Sequence, residues 1–175
     1  MGYKTVNLDF PVKRIIQKDN DGCAVASTAM EVNYLNGTSY SYEAMKNLNR
    51  NSTTMDWAYI ASKCNLNYNR DPLSGDSNFD TLKINLFSKL YYSRIPVIVR
   101  VQGSSGQHYV VVNGFQGTLP FYLNDDGTEL PSVLGATTNM FKIVDPGFSD
   151  HYTLADVIAH YNGDLKALYV YTKKW

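Results

Sequence analysis

Residues 17–26 read QKDNDGCAVA and place Cys23 six positions after Gln17. The polar run ahead of the cysteine includes Asp21, and aspartate is a residue type that commonly caps a helix. Small residues follow the cysteine, and an Asn-Gly pair, a typical C-terminal stop, comes one helix length later. We therefore predict a closely packed helix over residues 23–35, capped by Asp21, with the cysteine at its N-terminus.

Around this helix the sequence divides into two halves of different character. Residues 1 to about 93 read mainly as helical, and β-branched runs predominate after them. Further helices are predicted near 41–48, 54–64, 80–91 and 154–161. Strands are predicted at 96–101, 109–112, 141–144 and 168–171, the first two as a hairpin. Residues 116–140 carry turn signals and are predicted to be an insertion, an extra hairpin over one edge of the domain.

These patterns predict one domain over residues 1–175, of the α+β class. A chain of 175 residues is long enough to bury a substantial core. The two segregated halves indicate a helical half, with Cys23 at the start of its central helix, packed on an antiparallel sheet half.

The composition excludes two classes of partner. Lys plus Arg number 16, as do Asp plus Glu, so the chain has no net charge with which to attract nucleic acid or an anionic membrane. No apolar run approaches the roughly 20 residues that span a bilayer, and the N-terminus lacks the sections of a secretory signal. We expect neither partner and expect a monomer. The compartment stays open between the cytoplasm and, for an excised domain, the outside of the cell.

Three residues that are distant in sequence together suit thiol-based attack on a carbonyl. Cys23 would be the nucleophile, because a helix N-terminus favours the reactive thiolate. His108 would pair with that thiolate and carry the proton, and Asp145 would fix the orientation of the imidazole. The side-chain amide of Gln17 and the backbone N–H of the cysteine would donate to the oxyanion that forms.

Each of these residues also has an ordinary structural interpretation. A cysteine near a helix start is commonly a small buried residue, and Asp145 in an Asp-Pro-Gly sequence suits a plain turn. Their occurrence together is what favours catalysis. We interpret Cys64 as a buried free thiol and His151 and His160 as surface residues. They form no metal-ligand pattern and no phosphate-binding loop is present, so we expect no metal or cofactor.

With these residues in view, the sequence resembles the papain-like cysteine peptidases and, within them, the C39 group. That group includes bacteriocin-processing peptidase domains and a broader set of C39-like domains. Its first motif is Gln, four residues, an acidic residue, Cys, two residues, Ala, three residues and Met. The matching residues are Gln17, Cys23, Ala26 and Met30. Its second motif is a histidine with an aromatic and aliphatic residues, then Asp-Pro, matched by HYVV at 108–111 and IVDP at 143–146.

The resemblance covers about residues 12–171 and implies a papain-like fold and cysteine peptidase activity. By the same resemblance, Cys23 is the nucleophile and His108 the general base and acid. Asp145 is then the orienting residue, and Gln17 the oxyanion donor.

The sequence also departs from the pattern of the processing peptidases. Gly22 stands where the group has an acidic residue. Tyr34 and Gly37 are each displaced by one position from the aromatic-glycine pair of the processing peptidases. The spacer between the histidine and aspartate motifs is much longer than theirs. These differences favour the broader C39-like set over domains that cleave after a double-glycine leader.

Three functions stay open on the sequence. The first is a peptidase that acts on a peptide or protein segment through an acyl-enzyme intermediate. The second uses the same residues on cell-wall peptides, or as an acyltransferase or toxin domain, since C39-like domains occur in exported and phage-associated bacterial proteins. The third is an inactive peptide-binding domain.

Overall fold

The computed structural model of the protein describes residues 2–174, and a seven-stranded sheet runs through it. Its strands are β1 (Tyr3–Asp9), β2 (Leu66–Asp71), β3 (Val97–Gly103), β4 (Gly106–Leu123), β5 (Glu129–Pro131), β6 (Phe141–Val144) and β7 (Gly163–Lys173). The order is β1-β4-β3-β7-β2, and β5 and β6 also pair with β4. The pairings are antiparallel.

Helices cover both faces of this sheet. They are α1 (Cys23–Asn36), α2 (Tyr42–Leu48), α3 (Trp57–Lys63), α4 (Phe79–Tyr91) and α5 (Leu154–Tyr161), with a 3₁₀ turn at Thr138–Met140. One apolar core joins α1, α2 and α3 to one face, and a second joins α4 and α5 to the other. This mixture of helices and antiparallel sheet confirms the predicted fold class. Within residues 2–174, no helix has the length and apolar character needed to traverse a bilayer.

Strand β4 organises the molecule because its alternating side chains serve both cores. Val111 belongs to the α1 core, whereas Val110 and Val112 belong to the α4 and α5 core. Each fully buried side chain of this size contributes about 1.5–3 kcal/mol. Because side chains alternate along a strand, His108 projects from the same face of the sheet as Val110, which is the face that α5 covers.

Two strands that were not predicted lie in the half that was predicted to be mainly helical. Strand β1 alternates exposed and buried residues, with Val6 and Leu8 buried, but one short alternating run is a weak signal. Strand β2 buries only Leu66 completely, because it is an edge strand paired with β7. Its polar residues are typical of a loop, so the sequence did not indicate a strand here.

The segment 116–140 is more closely joined to the sheet than an added hairpin would be. Strand β4 continues through Leu123, and β1 pairs with it from Tyr3 opposite Pro120 to Asp9 opposite Gly114. Beyond that strand, the turn into β5 forms a hairpin, as predicted.

The N-terminus of α1 also differs from the prediction. Gly22 is the cap residue and makes no side-chain cap bond. The carboxylate of Asp21 instead accepts a 2.8 Å hydrogen bond from the hydroxyl of Thr53, which ties the loop before α1 to the start of the α3 region. The other end follows the sequence, with Gly37 in the left-handed region at φ 66°.

Candidate active site

The cysteine that the sequence singles out is the first residue of α1. Cys23 is 7% exposed and stands at the helix end where backbone N–H groups lack an intrahelical partner. Its thiol lies close enough to the His108 ring to raise the pKa of that imidazole. The predicted nucleophile and base are therefore neighbours, although they are 85 positions apart in the sequence.

Strand register brings the acid to the same place. Val111 of β4 pairs with Val144 of β6 in an antiparallel ladder, so the residue after Val144 lies beside the residue before Val111. Asp145 consequently shares a sheet face with His108, one diagonal step away. The Nε2 atom of His108 and the Oδ1 atom of Asp145 are 2.7 Å apart.

This contact fixes the hydrogen positions on the imidazole. An ionised carboxylate only accepts hydrogen bonds, so Nε2 of His108 carries a hydrogen. Nδ1 is then the nitrogen available to Cys23, either as an acceptor from the thiol or as a donor to the thiolate. Tyr161 stacks on the ring at 5.3 Å between centroids and Phe148 meets it edge-on at 5.7 Å, which holds its plane.

Charges around the imidazole favour its protonated form. Burial disfavours the imidazolium of His108, but hydrogen bonds with Asp145 and Cys23 outweigh it and raise the pKa from 6.5 to about 9. Burial also acts to raise the pKa of Asp145, yet the hydrogen bond and charge of His108 keep that pKa below its ordinary 3.8. The pair is consequently an imidazolium and a carboxylate at neutral pH.

The loop before α1 is fastened to the same acid. The Arg14 side chain donates through Nε to the carbonyl of Asp145 at 2.6 Å. The backbone N–H of Gln17 donates to the carbonyl of Pro146 at 3.0 Å. Residues from opposite ends of the chain are thereby held in one place around the thiol.

The predicted oxyanion donor lies at the site with its amide already engaged. Nε2 of Gln17 donates to the carbonyls of Asp19 at 3.0 Å and Asn20 at 3.2 Å. Its Oε1 lies beside Gly147 and is buried without a partner among residues 2–174. In this rotamer the amide is hydrogen-bonded to its own loop. To donate to the oxyanion, it has to give up its hydrogen bond to one of these two carbonyls.

One residue of the site was missed in the sequence. His151 was interpreted as a surface residue, but its side chain is only 10% exposed, and Nδ1 lies 2.8 Å from Oδ2 of Asp145. A histidine six residues after the acid, in a turn, carries no periodic signal that could have located it. His160 is exposed, as predicted, with its ring 4.4 Å from that of Phe148.

Two adjoining recesses beside the reacting groups make up the candidate groove. One, of about 440 Å³, is lined by Cys23 itself and, among others, Asp21, Met55, Trp57 and Tyr109. The other, of about 350 Å³, is lined by residues of the 16–20 loop, the His108 ring and the 146–148 turn. Asn20 and Gln107 line both, so the two recesses adjoin near the reacting groups.

The second cysteine is placed differently. Cys64 is 6% exposed at the end of α3, and burial raises the pKa of its thiol. Both cysteines are free. Among residues 2–174, no cluster of three or more His, Cys, Asp or Glu side chains has the arrangement of a metal site.

Comparison with known proteins gives a consistent result. The sequence model described as the Peptidase C39 like family matches residues 9–150. The structure is similar to the crystal structure of the peptidase domain of Streptococcus ComA, described as a bi-functional ABC transporter involved in a quorum sensing pathway. That similarity has a TM-score of 0.57 at 19% identity, and covers 93% of this chain and 99% of the other. None of the curated proteins matches.

Proposed function

The chain belongs to the Peptidase C39-like family and is a cysteine peptidase, and we propose that Cys23, His108 and Asp145 carry out its reaction. The observation that carries this proposal is the position of one buried ring. The Nε2 atom of His108 lies 2.7 Å from a buried carboxylate, and the ring is close enough to Cys23 for that residue to raise the pKa of the imidazole.

The proposed reaction begins with the thiolate–imidazolium pair. The thiolate of Cys23 attacks the carbonyl carbon of the scissile bond, and the carbonyl electron pair moves to oxygen to form an oxyanion. His108 gives its proton to the leaving nitrogen as the C–N bond breaks, which leaves a thioester. The neutral imidazole then takes a proton from water, the resulting hydroxide attacks the thioester, and the acid product leaves with the thiolate restored.

We assign the oxyanion to the helix N-terminus. The backbone N–H of Cys23 is fixed there by α1, and the helix dipole favours negative charge. Gln17 supplies the second donor by releasing the carbonyl of Asn20, the longer of its two bonds. The exchange is favourable because a hydrogen bond to a charged oxygen is about twice as strong as one to a carbonyl.

The groove supports an extended peptide as the substrate. One recess reaches the thiol and the other reaches the His108 ring, so a chain that occupies both passes the reacting groups. An extended chain rises about 3.3 Å per residue, so even a short segment reaches both recesses. The apolar surfaces of Met55, Trp57 and Tyr109 in the first recess suit an apolar side chain.

The test is cleavage of protein substrates with two matched variants. New N-termini in an unfolded bacterial protein extract are measured by mass spectrometry after incubation with wild type, Cys23→Ala and Cys64→Ala. We expect Cys23→Ala to abolish the new termini, with a loss of about 10⁴-fold or more, and Cys64→Ala to produce the same set as wild type. Undiminished cleavage by Cys23→Ala would remove the proposal.

A further inference from the structure

The carboxylate of Asp145 is held from two sides by two histidines. Its Oδ1 atom accepts from His108, and also from the backbone N–H groups of Gly147 at 2.8 Å and Phe148 at 3.1 Å. Its Oδ2 atom accepts from Nδ1 of His151 at 2.8 Å. The carboxylate is fully buried, so these contacts decide which oxygen faces the catalytic ring.

The second histidine has a defined hydrogen position. Because a carboxylate accepts only, Nδ1 of His151 carries the hydrogen. Without this donor, Oδ2 of Asp145 would be a buried charged oxygen lacking its partner, which is a strongly unfavourable state. The carboxyl group would then turn toward the remaining donors or take up a proton, and either change weakens its hold on His108.

The backbone near His151 is fixed independently of its side chain. The N–H of Ile143 donates to the carbonyl of Tyr152 at 3.1 Å. The Asp156 carboxylate accepts from the N–H groups of Tyr152 at 2.7 Å and Thr153 at 3.0 Å, which closes the capping box of α5. A change of the His151 side chain therefore leaves the turn in place.

The charged and titratable groups around His151 come from the end of β6 and from α5. Asp145 follows β6. Asp156, in the first turn of α5, is close enough for a charge on His151 to lower the pKa of its carboxyl group. The His160 ring of α5 is 5.1 Å away, and the Phe148 ring stacks at 4.6 Å.

We propose that His151 is a positioning residue of the catalytic site: its Nδ1–H holds Asp145 so that Oδ1 faces His108 and the thiolate–imidazolium pair is maintained. The inference deepens the proposed function and rests on it. It predicts that His151 acts only through Asp145.

The experiment measures how the alkylation rate of Cys23 by iodoacetamide depends on pH, with labelling sites identified by mass spectrometry. The variants are His151→Leu, which removes the donor, and His151→Asn, which keeps an N–H in nearly the same place. At about pH 6 only a paired thiol reacts fast, and we expect His151→Leu to be about tenfold slower than wild type. We expect His151→Asn to stay within about threefold of wild type.

Two controls separate positioning from a loss of structure. At about pH 10 an accessible thiol is ionised without help, so all three proteins should react alike there. In an Asp145→Ala background, His151→Leu and His151→Asn should react at the same rate at about pH 6, because the residue through which His151 acts is gone.

The possible outcomes separate a failure of this inference from a failure of the proposed function on which it rests. Equal rates for His151→Leu and wild type at about pH 6, or equal losses in His151→Leu and His151→Asn, overturn the positioning role alone. A wild-type Cys23 that reacts no faster at about pH 6 than an ordinary thiol overturns the proposed function itself.

Discussion

At the scale of single residues, His108 is the group on which the chemistry depends. Its Nε2 atom is engaged with a buried carboxylate, Cys23 is close enough to raise the pKa of the ring, and one aromatic ring stacks on it while another meets it edge-on. A ring held in this way needs little rearrangement before proton transfer, which is the advantage of a preorganised site.

The raised pKa of His108 predicts the alkaline limit of activity. The imidazolium that protonates the leaving nitrogen is present below a pKa of about 9 and is lost as the pH rises through that value. We therefore expect kcat/KM to fall on the alkaline side with a midpoint near pH 9, where an unpaired histidine would give about 6.5. Initial rates on a fluorogenic peptide across the pH range measure this limb. A limb near pH 6.5 would contradict the paired arrangement.

Removing the acid should weaken turnover without removing the attacking group. Asp145→Ala takes away the hydrogen bond that orients His108 and supports its charge, so we expect kcat/KM to fall about 10²–10³-fold, less than in Cys23→Ala. The alkaline limb should also move to lower pH, since the pKa of His108 loses its carboxylate partner. Asp150→Ala, an exposed residue of the same turn, is the matched control and should leave both quantities unchanged. A loss equal to that of Cys23→Ala would contradict this division of roles.

At the scale of elements, the loop that leads into α1 explains why a glycine precedes the cysteine. Gly22 packs against Tyr42, and a Cβ at position 22 would lie 2.1 Å from the tyrosine Oη and 2.9 Å from Cζ. The hydroxyl of Tyr42 donates to Asp19 at 2.5 Å, and Lys46 reaches the same carboxylate at 3.0 Å. Helix α2 thus holds this loop through two side chains that bind the Asp19 carboxylate. Its Tyr42 ring also fills the space beside position 22, which leaves no room for an acidic side chain there.

This packing predicts the effect of the smallest possible change. Gly22→Ala should cost about 1–3 kcal/mol of unfolding free energy, because the methyl overlaps the Tyr42 hydroxyl, and it should lower activity by displacing the Gln17 loop. Tyr42→Phe alone should cost about 1 kcal/mol through its lost hydrogen bond. The double variant should be more stable than the sum of the two changes predicts, because the overlapping oxygen is gone. Urea unfolding of the four proteins measures the coupling, and strict additivity would refute the steric account.

At the scale of the whole molecule, local signals were readable in the sequence, and of the long-range contacts only those among Cys23, His108 and Asp145 were predicted. Helix α5 was predicted at its observed bounds, where Thr153 and Asp156 form a capping box. Strand β1 was missed because its seven residues become a strand by pairing with β4, more than a hundred positions away. The role of His151 depends on how a turn folds back on Asp145, and the rotamer of Gln17 depends on two loop carbonyls. Neither contact leaves a periodic trace in the sequence.

The core beneath α1 contains a carboxyl group that the sequence pattern did not predict. Glu31 is fully buried in α1, and both of its carboxylate oxygens lack a partner among the described residues. Burial raises the pKa of Glu31 well above its ordinary 4.5. The nearby Tyr171 hydroxyl donates its hydrogen to the carbonyl of Trp57 at 2.7 Å, so that hydrogen is not donated to the Glu31 carboxyl group.

The sign of the resulting pH dependence follows from that raised pKa. Below about pH 4.5 the group is protonated in both the folded and the unfolded chain, and it adds no pH dependence to stability. Above that pH the unfolded chain releases the proton while the folded protein retains it, so stability declines as the pH rises toward the folded pKa. Glu31→Met should therefore raise the unfolding free energy at pH 7 by about 1–3 kcal/mol, and by less at pH 4. Glu43→Met, at an exposed position of α2, should change it by no more than about 0.5 kcal/mol at either pH. Urea unfolding at the two pH values tests this, and a Glu31→Met protein that is less stable than wild type at pH 7 would show that the carboxyl group supports the fold.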